Sequence, residues 1–250
     1  MSYIKKVTLS QNIWNNAFSY TERQERFGIA ELTIPSLKQI DTIADIQLWN
    51  HIVFEEVDNQ WSIRSCTWLV HIYQLKAPPF VEGGLGGIYI FDNHNHALYF
   101  RLQHTLTTTH QWPITVYHID QHSDLNRPDE QIDPEQLHDE NYRRAYTNLI
   151  CNVGNFIPPF LDLYPNTQFE RIKSESQLLN SKVWDLKSKV CIVDIDLEFR
   201  APEMSIKQYE QTIEKTKELI DQASLITIAT SPYFLDQPLA LHILNDIFDH

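Results

Sequence analysis

Val116-Tyr-His-Ile-Asp-Gln-His-Ser-Asp124 decides how this chain is read. The apolar run Ile114–Ile119 is built of β-branched and aromatic residues, which suit a strand covered on both faces. It ends in Asp120, His122 and Asp124. Such side chains are poor core material, because burying one unpaired costs several kcal/mol. Two further segments share the arrangement: Ile88-Tyr-Ile-Phe-Asp-Asn-His-Asn-His96 and Val190-Cys-Ile-Val-Asp-Ile-Asp196. Three strands ending alike predict one shared polar site at the carboxyl ends of an open α/β sheet, where ligands bind in such folds.

Working outward, Leu225–Ala229 supplies a fourth strand-like run beside Ile88–Phe91, Ile114–Ile119 and Val190–Val193. Met204–Ala223 reads as a helix, with Ile206, Tyr209, Ile213, Thr216 and Ile220 near helical spacing and Pro202 suited to its start. Leu239–Phe248, just after Pro238, reads as another. The polar stretch Asn126–Glu140, with Pro128 and Pro134, predicts a long loop leaving the triplet strand, and long loops in compact domains are often functional. Glu82-Gly-Gly-Leu-Gly-Gly87 lacks the Lys-Ser/Thr ending of a phosphate loop and precedes a strand, so it reads as a turn or flexible loop. Residues 1–80 are mixed in character and hold Trp14, Trp49, Trp61 and Trp68, read as core aromatics. Within them Trp68–Tyr73 suggests a strand and Ile43–Trp49 a helical segment. The expectation is one domain over 1–250, α/β with a mainly parallel central sheet, its site core at 88–236.

Composition limits the function classes. With 250 residues and 42% hydrophobic content, a sizeable core is available. A formal charge of −13 argues against a nucleic-acid backbone as partner and suits a cationic partner or bound metal. Cys66, Cys151 and Cys191 form no CxxC pair, so neither a disulfide framework nor a thiolate zinc site is expected. Met1-Ser-Tyr-Ile-Lys-Lys lacks a secretory apolar stretch, and no run approaches the ~18 apolar residues of a membrane span. A soluble cytoplasmic protein with reduced thiols, without membrane partners, is the expectation.

On extended backbone Asp120, His122 and Asp124 would share one side, as would Asp194 with Asp196 and His94 with His96. Oxygen-rich sites with some imidazole favour Mn²⁺, Mg²⁺ or Fe²⁺. Four carboxylates and two histidines are enough for two divalent ions that share carboxylates and acidify a water. Alone, Asp-Ile-Asp would equally serve as a strand end capping a helix, and isolated His71 or His104 would be surface or hydrogen-bonded core. Ser123 and Ser231 lack the setting of an activated nucleophile.

The triplet Asp120-Gln-His122-Ser-Asp124 resembles the Asp-x-His-x-Asp motif of the arginase-like ureohydrolases. Asp194-Ile-Asp196 resembles their Asp-x-Asp strand end, and Asn95-His96-Ala97-Leu98 their Asp-His-Ser-Leu segment, in the same chain order. The fuller wording, ending Asp194-Ile-Asp-Leu-Glu-Phe199, is similar to a divergent branch that includes the peptide arginases, which convert arginine side chains of ribosomally made precursor peptides to ornithine. The resemblance covers about residues 88–236. It implies a three-layer α/β/α fold, shared with the deacetylases, and two Mn²⁺ per chain. Asp120 and Asp194 would bridge; His96 and Asp124 would complete one ion, and His122 and Asp196 the other, with His94 a rival for the His96 role. Metal-activated hydroxide would attack the guanidinium carbon, releasing urea. His138 would be the proton shuttle, Glu198 or Asp236 the guanidinium partner, and Asn126 a substrate contact. The chain departs from free-arginine arginases at Ile228-Ala-Thr-Ser-Pro232, where Ala229 stands in place of their guanidinium-anchoring Glu. The implied partner is an arginine-containing precursor peptide. The alternatives are a small guanidino compound, a one-zinc deacetylase, or a metal-stabilised peptide-binding protein without turnover.

Overall fold

The short apolar runs pair with one another to form the middle of a seven-stranded sheet. A computed structural model describes residues 7–9, 32–57, 60–76, 87–108, 113–182, 190–200 and 204–248. Its strands are β1 (Val7–Leu9), β2 (Leu32–Ile34), β3 (Leu37–Ile40), β4 (Leu48–Val57), β5 (Gln60–Leu69), β6 (Ile72–Leu75), β7 (Ile88–Phe91), β8 (Ile114–Ile119), β9 (Gln168–Ile172), β10 (Val190–Asp196) and β11 (Leu225–Ala229). The helices are α1 (His96–Thr107), α2 (Glu140–Ala145), α3 (Ile157–Leu163), α4 (Glu175–Asn180), α5 (Ile206–Ile220) and α6 (Gln237–Phe248).

The main sheet runs β3-β6-β7-β11-β10-β8-β9. From β7 to β9 all neighbours are parallel; β6 is antiparallel to β7, and β3 is parallel to β6. β1 with β2 and β4 with β5 form separate antiparallel pairs. Alternate residues of the central strands divide between two apolar layers. Ile195, Ile119 and Ile228 pack toward α5 and α6, through Ile213, Leu219, Ile243 and Leu244. Ile192, Val116, Leu225 and Phe91 pack toward α1 and α3, through Leu98, Phe100, Ile157 and Phe160. The result is a three-layer α/β/α arrangement. Each fully buried branched or aromatic side chain contributes about 1.5–3 kcal/mol. No helix among the described residues is long and apolar enough to cross a membrane.

The spans read for β7, β8 and β11 coincide with the strands. β10 runs past Val193 to Asp196, because Asp194, Ile195 and Asp196 still pair with β11. Trp68–Tyr73 is not one strand: β5 ends at Leu69 and β6 begins at Ile72. Ile43–Trp49 is not helical beyond the 3-10 turn Ile43–Asp45, since Leu48 and Trp49 already pair with β5. Trp49 is exposed, contrary to its reading as core, and Trp68 is half-buried. Cys151 and Cys191 are buried and free. Helix α5 has a capping box between Ser205 and Gln208, and Pro238 lies in the first turn of α6. The helix start read at Pro202, the glycine-rich stretch before Gly87, and Trp14 fall outside the described residues.

Candidate metal centre

Parallel pairing puts the carboxyl ends of β7, β11, β10 and β8 at one edge of the sheet. In register, Asp194 of β10 lies between Thr227 of β11 and His118 of β8. All three sit on alternate positions with Ile192, Val116 and Leu225, so they face the layer of α1 and α3. From α1, Arg101 reaches the same place with its side chain fully buried. The turn after β7 adds His94, and the chain leaving β8 adds Asp120 and Asp124.

These side chains meet closely. His94 Nδ1 lies 3.1 Å from Asp120 Oδ2, 3.4 Å from Asp196 Oδ2 and 3.5 Å from Asp124 Oδ2. Its Nε2 is 3.0 Å from Asp194 Oδ2. His118 Nδ1 is 2.7 Å from the same Asp194 oxygen, while its Nε2 is 3.6 Å from Asp120 Oδ2 and 3.8 Å from Asp124 Oδ2. Arg101 Nη2 contacts Asp194 Oδ2 as well. Hydroxyls and amides support the carboxylates from outside: Thr227 donates to Asp194 Oδ1 and Ser231 to Asp196 Oδ2, each at 2.6 Å. The His122 N–H donates to Asp120 Oδ1 at 2.6 Å, and the Glu198 N–H to Asp196 Oδ1 at 3.0 Å.

Asp124 and Ser231 are the non-glycine residues with positive φ among the described ones, at 53° and 45°. That left-handed backbone costs about 1–2 kcal/mol outside glycine. Asp124 and Ser231 both belong to the cluster, where strain of this kind is held by surrounding contacts.

Burial and mutual charge pull these groups apart. Burial opposes ionisation of Asp194, yet Arg101 and His94 hold its carboxyl well below the ordinary range. Burial disfavours the charged His94, yet Asp194, Asp120 and Asp196 raise its imidazole well above the usual value. Asp120 is burdened by burial but lowered by His94. Asp124 is pushed up to about 8 by burial, with Asp120 and Asp196 adding to it. Burial lowers His118 despite Asp194. At the mouth, Glu198 raises His122 to about 9, and burial raises Glu198.

The structure brings Asp120, Asp124, Asp194 and Asp196 together. It seats His94, rather than His96, among them. β7 stops at Phe91 and a turn follows, so His94 and His96 do not share a side; His96 opens α1 and packs against the Phe91 ring. Burial lowers His96 to about 3. His122 is swung out because the chain bends after Asp120: it is 56% exposed, contacts Glu198, and lies 3.7 Å from Asp120 Oδ1. Glu198 is buried beside it. His138 is exposed in the turn before α2, Asp236 is exposed ahead of α6, and Asn126 is exposed, its N–H donating to Gly154 O at 3.1 Å. None of these three belongs to the convergent groups. His118 and Arg101 are the members that the sequence reading missed. His118 shares the alternate-position parity of Asp120, which was a usable signal; an arginine within an amphipathic helix gives none.

The donor set fits a divalent cation. Among the described residues, the groups able to hold one are His94/His118/Asp194, His94/Asp120/Asp196, His118/Asp120/Asp124 and Asp120/His122/Glu198. His94 Nδ1 and His118 Nε2 are buried without a hydrogen bond while facing carboxylate oxygens. Four carboxylates there face one guanidinium and two imidazoles, an excess of negative charge that protons or a metal must neutralise. Oxygen-rich ligation with some imidazole suits Mn²⁺ or Mg²⁺ better than a structural zinc. No protein-family model matches the chain, and no curated protein matches it.

Proposed function

We propose that the chain is a manganese-dependent hydrolase that converts arginine side chains within a precursor peptide to ornithine, releasing urea. The observation that carries this is the buried group of four aspartates and two imidazoles at the carboxyl edge of a mainly parallel sheet. That layout is compatible with an arginase-like fold. Two ions per chain are supported by Asp120, whose Oδ2 faces His94 and His118 while its Oδ1 faces His122 beside Glu198. Bound divalent ions would supply Lewis acidity and an acidified water.

The chain's own residues then do the rest. Glu198 is buried; its Oε1 contacts His122, and its Oε2 has no partner among the described residues. A substrate guanidinium would satisfy Oε2, which gives Glu198 the anchoring role that Ala229, buried within β11, does not fill. His122, held protonated at neutral pH by Glu198 in the metal-free chain, would give up that proton to hold the second ion. The Phe234 ring, 56% exposed and 5.3 Å from the His122 ring, and exposed Leu125 offer apolar surface beside the mouth for more than a free amino acid.

The test compares an internal-arginine peptide with free arginine in the presence of Mn²⁺. The expected outcome is a loss of about 42 Da per arginine, with urea in step and absent for Asp124→Ala. Turnover of free arginine alone would redirect the substrate to a small guanidino compound. Metal uptake without urea from either would leave a binding protein.

A further inference from the structure

We propose that Asp194 ligates no ion and instead orients the two imidazoles that do. The inference rests on the metal-dependent reading above and changes its ligand set. Both oxygens of Asp194 are occupied by protein donors. Oδ1 accepts from Thr227 at 2.6 Å. Oδ2 takes His94 Nε2 at 3.0 Å, His118 Nδ1 at 2.7 Å, and the Arg101 guanidinium. A carboxylate oxygen has two lone-pair directions, so the two imidazole hydrogen bonds on Oδ2, with the guanidinium ion pair beside them, leave no room for a cation.

With an ion bound, this bonding would fix both tautomers, with His94 Nε2–H and His118 Nδ1–H turned to Asp194. A shared carboxylate behind two imidazoles is the arrangement by which outer partners aim metal-binding histidines. The nitrogens left over, His94 Nδ1 and His118 Nε2, are buried and without hydrogen bonds. Both face Asp120 Oδ2, at 3.1 and 3.6 Å, and Asp124 Oδ2, at 3.5 and 3.8 Å. An imidazole nitrogen this close to carboxylate oxygens needs a proton or a cation between them, and a divalent ion there would displace the proton. An inner ion would therefore be held by His94 Nδ1, His118 Nε2, Asp120, Asp124 and Asp196. Arg101, fully buried, is the fixed cation that keeps Asp194 ionised. Asp194 would then not act as a second bridge beside Asp120.

Two measurements test this. The wild-type protein is loaded with the spin-half isotope of cadmium, and cadmium–nitrogen coupling is read on its ¹⁵N-labelled histidines. Coupling to both His94 Nδ1 and His118 Nε2 is expected; coupling to only one of them, or through His94 Nε2 or His118 Nδ1, overturns the proposal. In parallel, Mn²⁺ affinity is measured for Asp194→Asn and Asp120→Asn by calorimetry. Asp194→Asn is expected to lose roughly 10–100-fold, as an outer partner does, and Asp120→Asn at least about tenfold more. Equal losses overturn it. Should Asp194→Asn not fold, the cadmium couplings of the wild type decide. A wild type that takes up no divalent ion sinks both this proposal and the hydrolase reading, whereas uptake with the wrong couplings sinks this one alone.

Discussion

Replacing Arg101 by methionine isolates the electrostatics of the buried centre from its chemistry. Arg101 and Asp194 are both fully buried and in contact. Methionine keeps the aliphatic stem but strips Asp194 of its permanent cation. His94, His118 and Thr227 remain as donors, but keeping the buried carboxylate ionised then requires a charged imidazole. Removing one partner of a buried ion pair costs about 3–5 kcal/mol, because the other charge is left uncompensated. At about 2–4 °C per kcal/mol for a chain of this size, Tm falls by roughly 6–20 °C. The assay is urea unfolding followed by circular dichroism in chelator-treated buffer, so that metal binding does not add to stability. Asp194→Asn in the Arg101→Met background restores part of the loss, since the uncompensated charge is gone, with a coupling of about 0.5–3 kcal/mol. A single-variant cost below about 1 kcal/mol, or strictly additive variants, would refute the reasoning.

Other expectations follow from the same geometry. Asp124, pushed up to about 8, holds a proton in metal-free protein at neutral pH that an incoming ion must displace. Since His94 and His122 must also lose protons to an ion, Mn²⁺ affinity climbs with pH through neutrality; a flat calorimetric profile contradicts this. Glu198→Gln removes the partner that raises His122 to about 9, so the His122 titration seen by NMR drops toward about 6.5. An unmoved titration would show that Glu198 does not set it. Asp92 is buried and accepts from the Leu69 N–H, Thr230 and Gln237, and burial raises it to about 7. The folded state thus holds this proton more tightly than the unfolded chain does, and Asp92's contribution to stability falls as pH rises from about 4 to about 7. Asp92→Asn removes that slope and, by depriving one buried donor of its acceptor, costs about 1–3 kcal/mol. A slope that survives the substitution assigns it to another group.

What was legible in the sequence and what was not divide along physical lines. Ile88–Phe91, Ile114–Ile119 and Leu225–Ala229 are covered on both faces, and a buried strand writes itself as an unbroken apolar run. β9 is an edge strand, Gln-Phe-Glu-Arg-Ile, with exposed and half-buried positions, and its composition does not distinguish it from loop. The antiparallel addition of β6 and β3 is a matter of long-range pairing that no local pattern encodes. In the site, the aspartates stood out because charge interrupts apolar runs. The fate of the histidines hung on where the strands stop. Extended backbone ends at Phe91 and Ile119, so alternation says nothing beyond those points, and the chain beyond Asp120 bends, passing through the positive φ of Asp124. His118 lies within a strand run and finds its partner 76 residues away, a contact set by the register of β8 against β10.

The most direct measurement is a crystal of the protein soaked in Mn²⁺ and recorded for anomalous scattering. A peak enclosed by His94, Asp120, Asp124 and Asp196 is the predicted result. Anomalous density confined to the exposed surface, with none within that group of side chains, would contradict the metal centre on which the proposed hydrolase rests.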